Sequence, residues 1–283
     1  MTPEKFHSEL EASFPFTPTS SQNNWFPEIT KFIFSKEKNN AFLLTGYAGT
    51  GKTTLIGSLV SQLKLTNYKA VLMAPTGRAA KVMSTYSKFS ARTIHKQIYY
   101  PKPESGGKMQ FQLKVNKFRK TIFIIDEASM IGDDRQNAKL FENGSLLHDV
   151  VQYVSSGDQC KLIFVGDPAQ LPPVHLNISP ALDLDELTQF HFDEVFSIQL
   201  DVVVRQAQGS GILHNATLLR NQLNNELYDS FKFEVSDYND ILYTNNGMDL
   251  FEAIENAFRD SGTDQTVFIV RSNKRANIYN ENI

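Results

Sequence analysis

Short apolar runs recur along the chain at 41–45 (AFLLT), 70–74 (AVLMA), 121–125 (TIFII) and 161–165 (KLIFV). Each is continuous rather than alternating, so the strand it predicts is buried on both faces, as in a parallel sheet covered by helices on either side. The stretches between them are long enough for the helical crossovers that parallel strands require. One more run, 266–270 (TVFIV), predicts a further strand near the C-terminus. Ahead of the first strand, Trp25, Phe26, Ile29, Phe32 and Ile33 recur at helical spacing, with Ser20 or Ser21 as the cap and Pro27 in the early part. Residues 1–20, with Pro3, Pro15, Pro18 and a Ser/Thr cluster, read as an irregular lead-in.

Between 96 and 120 the rhythm changes. Tyr99, Tyr100, Pro101, Lys102 and Pro103 lead through Ser105, Gly106 and Gly107 into the alternating stretch 109–115 (MQFQLKV), which predicts a β-hairpin inserted into the sheet domain. The expected organisation is therefore a first α/β domain over 21–200, a hairpin subdomain at 99–120, and a junction over 201–283 leading into a second domain. The last predicted strand is followed by Arg271, Ser272, Asn273, Lys274 and Arg275, which reads as a loop and a helix start. A parallel strand with its helix only begun cannot close a sheet domain, so the second domain is expected to be cut short.

At 283 residues and 41% hydrophobic content the chain can bury a core. Its one cysteine, Cys160, excludes an internal disulfide framework and reads as a small core residue, which fits a cytoplasmic protein. The opening MTPEKFHSEL has neither a basic nor an apolar leader region, and no run approaches the ~18 apolar residues of a membrane span. A net charge of −3 and a pI of about 6.1 give no global nucleic-acid signature. The charge is nonetheless segregated: 99–120 holds Lys102, Lys108, Lys114, Lys117, Arg119 and Lys120 against Glu104, while 181–194 holds five acids and neither Lys nor Arg. Two solvated faces would account for that pattern by themselves.

The first strand runs into Gly46, Tyr47, Ala48, Gly49, Thr50, Gly51, Lys52, Thr53 and Thr54. Gly46, Gly49 and Gly51 let the backbone turn its N–H groups inward around phosphate oxygens. Lys52 adds a charge for the β- and γ-phosphates, Thr53 offers a hydroxyl to Mg²⁺, and the helix that begins at Thr54 aims its positive end at the same anion. Residues 122–130 (IFIIDEASM) deliver Asp126 and Glu127 to the C-terminal end of another strand, where open α/β sheets bind ligands. Asp126 suits Mg²⁺, and Glu127 is positioned to orient and deprotonate a water. After the fourth strand, Asp167 and Gln170 can sense a γ-phosphate, and the stiff Pro172-Pro173 pair can pass on movement.

Five segments, in this order, resemble superfamily 1B DNA helicases of the RecD/Dda type, a group that includes the exodeoxyribonuclease V alpha subunit. They are 46–53, the stretch 74–80 (APTGRAA), 93–95 (TIH), 126–130 (DEASM) and 166–174 (GDPAQLPPV), and the likeness spans about residues 20 to 210. It implies a RecA-like P-loop fold, ATP and Mg²⁺ as cofactors, single-stranded DNA as partner, and movement from 5′ to 3′. By the same resemblance Gln22 reads adenine, and Arg205, within Val203-Val204-Arg205-Gln206, contacts the γ-phosphate alongside the catalytic set Lys52, Glu127 and Gln170. Pro75, Thr76, Gly77 and Arg78 meet single-stranded DNA, together with Thr93 and His95, although a lone histidine serves equally as a satisfied structural residue. The hairpin is similar to the family's pin, on which Tyr99, Tyr100 and Phe111 can stack on bases, with Phe111 the best candidate for an anchor to the sheet. The family's later motifs lie in a second domain and include an arginine that completes the ATP site. Without them the chain is expected to bind nucleotide, hydrolyse it weakly and not unwind. Rival readings are an ATP-driven remodeller or an exonuclease subunit of which this motor is a component, and a switch that binds ATP without moving along DNA; recombination or repair proteins are candidate partners. A nuclease site has no support beyond Asp126 and Glu127.

Overall fold

The computed structural model describes all residues except 104–108, 133–144, 191, 205–209, 226, 228–229, 264 and 283. Met1–Arg205 and Gln206–Ile283 form two compact units. The strands of the first are β1 (Asn40–Gly46), β2 (Lys69–Ala74), β3 (Ala91–Thr93), β4 (Tyr99–Pro103), β5 (Met109–Leu113), β6 (Thr121–Ile125), β7 (Lys161–Gly166) and β8 (Glu194–Leu200). Its helices are α1 (Pro3–Ser13), α2 (Ser20–Phe34), α3 (Lys52–Gln62), α4 (Gly77–Ser87), α5 (Ile94–Ile98), α6 (Leu146–Ser155) and α7 (Leu184–Gln189). Six strands form one parallel sheet in the order β3-β2-β6-β7-β1-β8, while β4 and β5 pair antiparallel as a separate hairpin.

The continuous apolar runs are explained by two cores, one on each face of the sheet. Phe42 and Leu44, Ile122 and Ile124, and Ile163 and Val165 face one core, with Trp25, Ile29 and Phe32 of α2. Leu43, Phe123, Ile125, Leu162 and Phe164 face the other, with Val150, Tyr153 and Val154 of α6. Side chains alternate across a strand, so a residue of either parity must be apolar when both faces are covered.

The start of the chain departs from expectation: residues 1–20 are not an irregular lead-in. Thr2 caps α1 through a hydrogen bond from the Lys5 N–H, Pro3 occupies the first helical turn, and Phe6, Leu10 and Phe14 fall four apart on the face that enters the first core. Proline at that position starts a helix rather than breaking one, since its missing N–H is not needed there. The cap of α2 is Thr19, not Ser20 or Ser21. Its hydroxyl accepts from the Gln22 N–H while Gln22 Oε1 accepts from the Thr19 N–H, a reciprocal capping box.

Strands β3 and β8 flank the sheet. They carry too little continuous hydrophobicity to announce themselves, because an edge strand is only partly covered: along β8 only Phe196 and Leu200 are buried. The hairpin is present with Tyr99 opposite Leu113 and Pro101 opposite Phe111, and its Gly106-Gly107 turn lies outside the described residues. Cys160 is a small buried residue, with burial raising its thiol pKa.

The second unit contains α8 (Gly211–Asn224), α9 (Gly247–Ser261) and α10 (Asn273–Asn282). Residues 266–270 do not form the expected strand. A strand needs a neighbour for its N–H and C=O groups, and none is present among the described residues of this unit. Phe268 instead stacks on Phe258 and Tyr279, with ring centroids 6.1 and 5.0 Å apart.

Candidate nucleotide site and strand-end loops

Because the six strands are parallel, all their C-terminal ends open on one edge, and the candidate residues follow Gly46, Ala74, Thr93, Ile125 and Gly166 on that edge. β7 separates β1 from β6, which sets the phosphate-loop end and the Asp126 end roughly 10 Å apart. That gap suits a phosphate chain and a cation.

Gly49 and Gly51 have φ of 83° and 90°, in the left-handed region that favours glycine. A Cβ on Gly51 would sit 2.5 Å from Gln22 Nε2, and one on Gly46 would sit 2.8 Å from Thr50 Oγ1 and 2.9 Å from Leu200. Gly51 is also the N-cap of α3 and provides no side-chain oxygen, so no side chain caps the first N–H groups of that helix. They are the donors an anion would take. The loop is braced from three directions: Gln22 Nε2 donates to the Thr50 carbonyl at 2.9 Å, Thr50 Oγ1 donates to the Tyr47 carbonyl at 2.8 Å, and the Val204 N–H donates to the Gly49 carbonyl at 2.9 Å.

Lys52 reaches across the loop, its Nζ donating to the carbonyls of Gly46 at 2.5 Å and Tyr47 at 2.9 Å. Burial lowers its pKa, and Asp167, Asp126 and Glu127, in that order, pull it back up. Four charged residues from three strand ends therefore share one field. Burial lifts the Asp126 carboxyl to about 6, and the nearby Glu127 charge raises it too, while the Glu127 N–H, donating at 2.9 Å, and the Lys52 charge oppose the rise. Glu127 has φ 55° and ψ 38°, a left-handed conformation uncommon for a residue with a side chain and of the kind that clusters at working sites. Ser129 Oγ donates to Gln170 Oε1 at 3.1 Å, which ties the loop after β6 to the loop after β7. Ser179 Oγ lies 2.8 and 2.6 Å from the carbonyls of Ala128 and Ile131 and fastens the same turn from behind. Neither serine was picked out by the sequence, where Ser129 is merely part of DEASM.

The structure places Tyr47, Ala48, Thr53 and Thr54 on the loop and the first turn of α3, with Thr53 exposed. Gln22 is 2% exposed and commits both ends of its amide to the capping box and the loop, so its observed role is to position the loop. Arg205 lies outside the described residues. Pro75, Thr76 and Arg78 sit at the end of β2, where Thr76 caps α4 by accepting from the Ala79 N–H, and Arg78 is exposed. Thr93 caps α5 in the same way. His95 is half-buried against Tyr99 and Phe111, with centroids 5.8 and 5.3 Å away, and burial lowers its pKa.

One expectation is overturned on the hairpin. Tyr99 cannot stack on bases: it is 2% exposed, and its hydroxyl donates to Asp149 Oδ2 at 2.6 Å beneath the sheet. The first residue of β4 faces the core, so parity turns the next one outward. Tyr100 is 61% exposed, with the Lys114 ammonium 5.1 Å from its ring centre. Phe111 packs against the second core as an anchor. The cations of this region have mixed partners, since Arg119 pairs with Asp158 at 2.7 Å while Lys117 is exposed. A cavity of about 400 Å³ lies at the opposite edge of the sheet, where Phe34, Tyr68 and Lys120 line it. Among the described residues on its wall Glu37 is the sole acid, so it lacks the convergent chemistry of the other edge.

A glycine loop opening an uncapped helix at the end of a central parallel strand, faced by acids from the next two strand ends, defines a nucleotide-using P-loop NTPase with a RecA-like sheet. The AAA domain family matches residues 30–176, more than half of the chain, and the chain belongs to it; the resemblance to RecD/Dda-type proteins is borne out by the relatives it matches. The chain is 33% identical over 161 residues to the ATP-dependent DNA helicase dda of Enterobacteria phage T4, a match that spans 55% of this chain and 33% of that protein. It is 29% identical over 174 residues to the ATP-dependent RecD2 DNA helicase of Deinococcus radiodurans, covering 62% of this chain and 21% of that one. An uncharacterized protein of Methanocaldococcus jannaschii, MJ1519, is 35% identical over 156 residues, or 51% of this chain and 12% of the relative. The chain thus spans a third or less of the length of these relatives. Among solved structures, the Pif1 helicase of Candida albicans aligns over 93% of this chain and 60% of its own, with a TM-score of 0.45 and 19% identity. No helix among the described residues is long and apolar enough to cross a membrane.

Proposed function

We propose that this chain is the motor portion of an ATP-dependent DNA helicase that couples hydrolysis of Mg²⁺-ATP to movement along single-stranded DNA in the 5′ to 3′ direction. The observation that carries the reading is the convergence of Lys52, Asp126, Glu127 and Asp167 on one sheet edge, shared with the 75–78 and 93–95 loops. Lys52 and the N–H groups of α3 neutralise the phosphate chain, and Thr53 and Asp126 hold the cation. Glu127 orients and deprotonates the attacking water, which suits a reaction where positioning and charge neutralisation dominate. The Ser129–Gln170 bond gives the γ-phosphate region a direct line to the loop after β7. Arg78, Thr76 and Thr93 offer donors for phosphate contacts that set register without reading sequence. Tyr100 offers a ring face on the hairpin.

In this reading residues 201–283 contain the junction to a second RecA-like domain, Arg205 belongs to the ATP site, and the protein works in the cytoplasm in DNA repair or recombination, alone or as a motor subunit of an exonuclease complex. The support for this finer part is the resemblance of the motifs. The test is ATP turnover by the complete protein with and without single-stranded oligonucleotides. A motor is expected to be stimulated tenfold or more, and turnover indifferent to DNA would favour a nucleotide-binding switch.

A further inference from the structure

Between Glu37 and Glu104 the chain carries no Asp or Glu. The fold gathers much of that acid-free stretch on one side of the sheet, since α4 packs on α3, β2 and β3, all drawn from it. α4 buries Ala80, Met83 and Ser87 and turns a stripe outward at three- and four-residue spacing: Arg78, Lys81, Val82, Thr85, Tyr86 and, just past the helix end, Phe89. Val82, Tyr86 and Phe89 are 47%, 58% and 46% exposed. Lys88, in a left-handed C-cap, and Arg92 on β3 are exposed beside them. Among the described residues, Arg78, Lys81, Lys88 and Arg92 form no salt bridge.

A merely solvated helix face has no use for two aromatic rings and a valine in line with its cations. Rings interleaved with unneutralised lysine and arginine are the arrangement that holds unpaired nucleic acid, with cations on the backbone and rings under the bases. The stripe also starts at Arg78, in the first turn of α4 and in the 75–78 segment read as a DNA contact, and runs from there along the helix.

We propose that the outer face of α4, with Lys88, Phe89 and Arg92, is an accessory binding rail for single-stranded nucleic acid that continues the track beyond Arg78. The proposal rests on the reading of 75–78 as a DNA contact. Lys81 and Lys88 meet phosphates, and Tyr86 and Phe89 take bases in any sequence. An acidic peptide with apolar side chains has rival chemistry, but continuity with the phosphate contacts at Arg78 favours the nucleic acid.

The test uses the 283-residue chain and fluorescence anisotropy with oligothymidylates of about 8 and about 20 nucleotides, a short and a long site for one track. Two double variants, Lys81→Gln with Lys88→Gln and Tyr86→Ala with Phe89→Ala, alter only exposed side chains, so thermal unfolding is expected to match the parent. Each is expected to weaken the long oligonucleotide about 5- to 10-fold and the short one less than twofold; the lysine pair lowers the salt slope by about 1.4, and the aromatic pair leaves it unchanged. Parent-like binding of both oligonucleotides by both variants overturns the rail and leaves the track at 75–78 standing. If the parent binds neither oligonucleotide, the rail and the track fall together. Retention of a synthetic Asp/Phe peptide by the parent and its loss from both variants, with oligonucleotide binding unchanged, assigns the face to a protein partner and overturns the proposal.

Discussion

Lys52 and Lys161 make the same kind of hydrogen bonds and serve opposite ends of the sheet. Each ammonium is desolvated and donates to two backbone carbonyls, Gly46 and Tyr47 at 2.5 and 2.9 Å for Lys52, Phe32 and Ser35 at 2.6 and 3.0 Å for Lys161. Burial depresses both pKa values, that of Lys161 to about 8. Their surroundings differ. Lys161 plugs the C-terminal end of α2, where carbonyls lack helical partners, and lies 5.3 and 5.7 Å from the ring centres of Phe32 and Tyr68. Lys52 opens α3 beside uncapped N–H groups and faces three acids. A buried lysine with a lowered pKa therefore does not mark a site by itself. Acids converging from separate strand ends do, because nothing in packing requires them to meet.

Replacing each lysine separates the two roles. Lys52→Ala is expected to weaken nucleotide binding by at least about 100-fold, the worth of a phosphate-facing charge and its hydrogen bonds, with thermal unfolding nearly unchanged. Titration calorimetry checks the first half, and parent-like affinity would remove the loop from the nucleotide site. Lys161→Met is expected to do the reverse. It leaves the Phe32 and Ser35 carbonyls without their donor, which costs about 1–3 kcal/mol in urea unfolding, while nucleotide affinity stays within about twofold. If instead affinity collapsed with stability intact, the distinction drawn between the two lysines would be wrong.

Asp126 carries the comparison into pH. Its folded pKa of about 6 stands above the ordinary carboxyl value, so the fold favours the protonated form. That contribution is fully present below about pH 4 and is lost as pH rises through 6. Asp126→Asn is neutral at every pH. It is expected to exceed the parent in stability by on the order of 1–3 kcal/mol at pH 8 and to match it near pH 4. Urea unfolding at the two pH values tests this, and an equal difference at both would show that Asp126 is not the desolvated member of the set.

The central strands were legible because burial on both faces writes itself as uninterrupted hydrophobicity, and the phosphate loop because few residue types tolerate its geometry. β3 and β8 were not, since one covered edge leaves a mixed pattern. The Pro3 helix was hidden by a residue whose meaning reverses with position: at the first turn it begins what it would break further in. TVFIV at 266–270 had the composition of a strand without a neighbour to pair with, and a run of β-formers specifies a strand only where a sheet edge receives it. Ser129 and Ser179, which fasten the site, act through contacts distant in sequence that no local pattern announces, whereas Thr19-x-x-Gln22 is the local capping-box pattern and was masked by the neighbouring candidates Ser20 and Ser21.

The hairpin tyrosines make the same point at the smallest scale, for Tyr99 and Tyr100 are neighbours of identical chemistry that strand parity sends to opposite environments. Tyr99→Phe removes the hydroxyl that donates to Asp149, a residue 0% exposed, and is expected to cost about 1–2 kcal/mol of stability with DNA affinity unchanged. Tyr100→Ala truncates a ring that is 61% exposed and is expected to leave stability within about 0.5 kcal/mol. Its effect should fall on single-stranded DNA, weakened by about 1 kcal/mol if the ring carries a base. Paired urea unfolding and anisotropy on both variants would show the two losses on different axes. A Tyr100 variant that lost stability and kept its DNA would mean that the Lys114 contact, rather than a base, is what the ring is for.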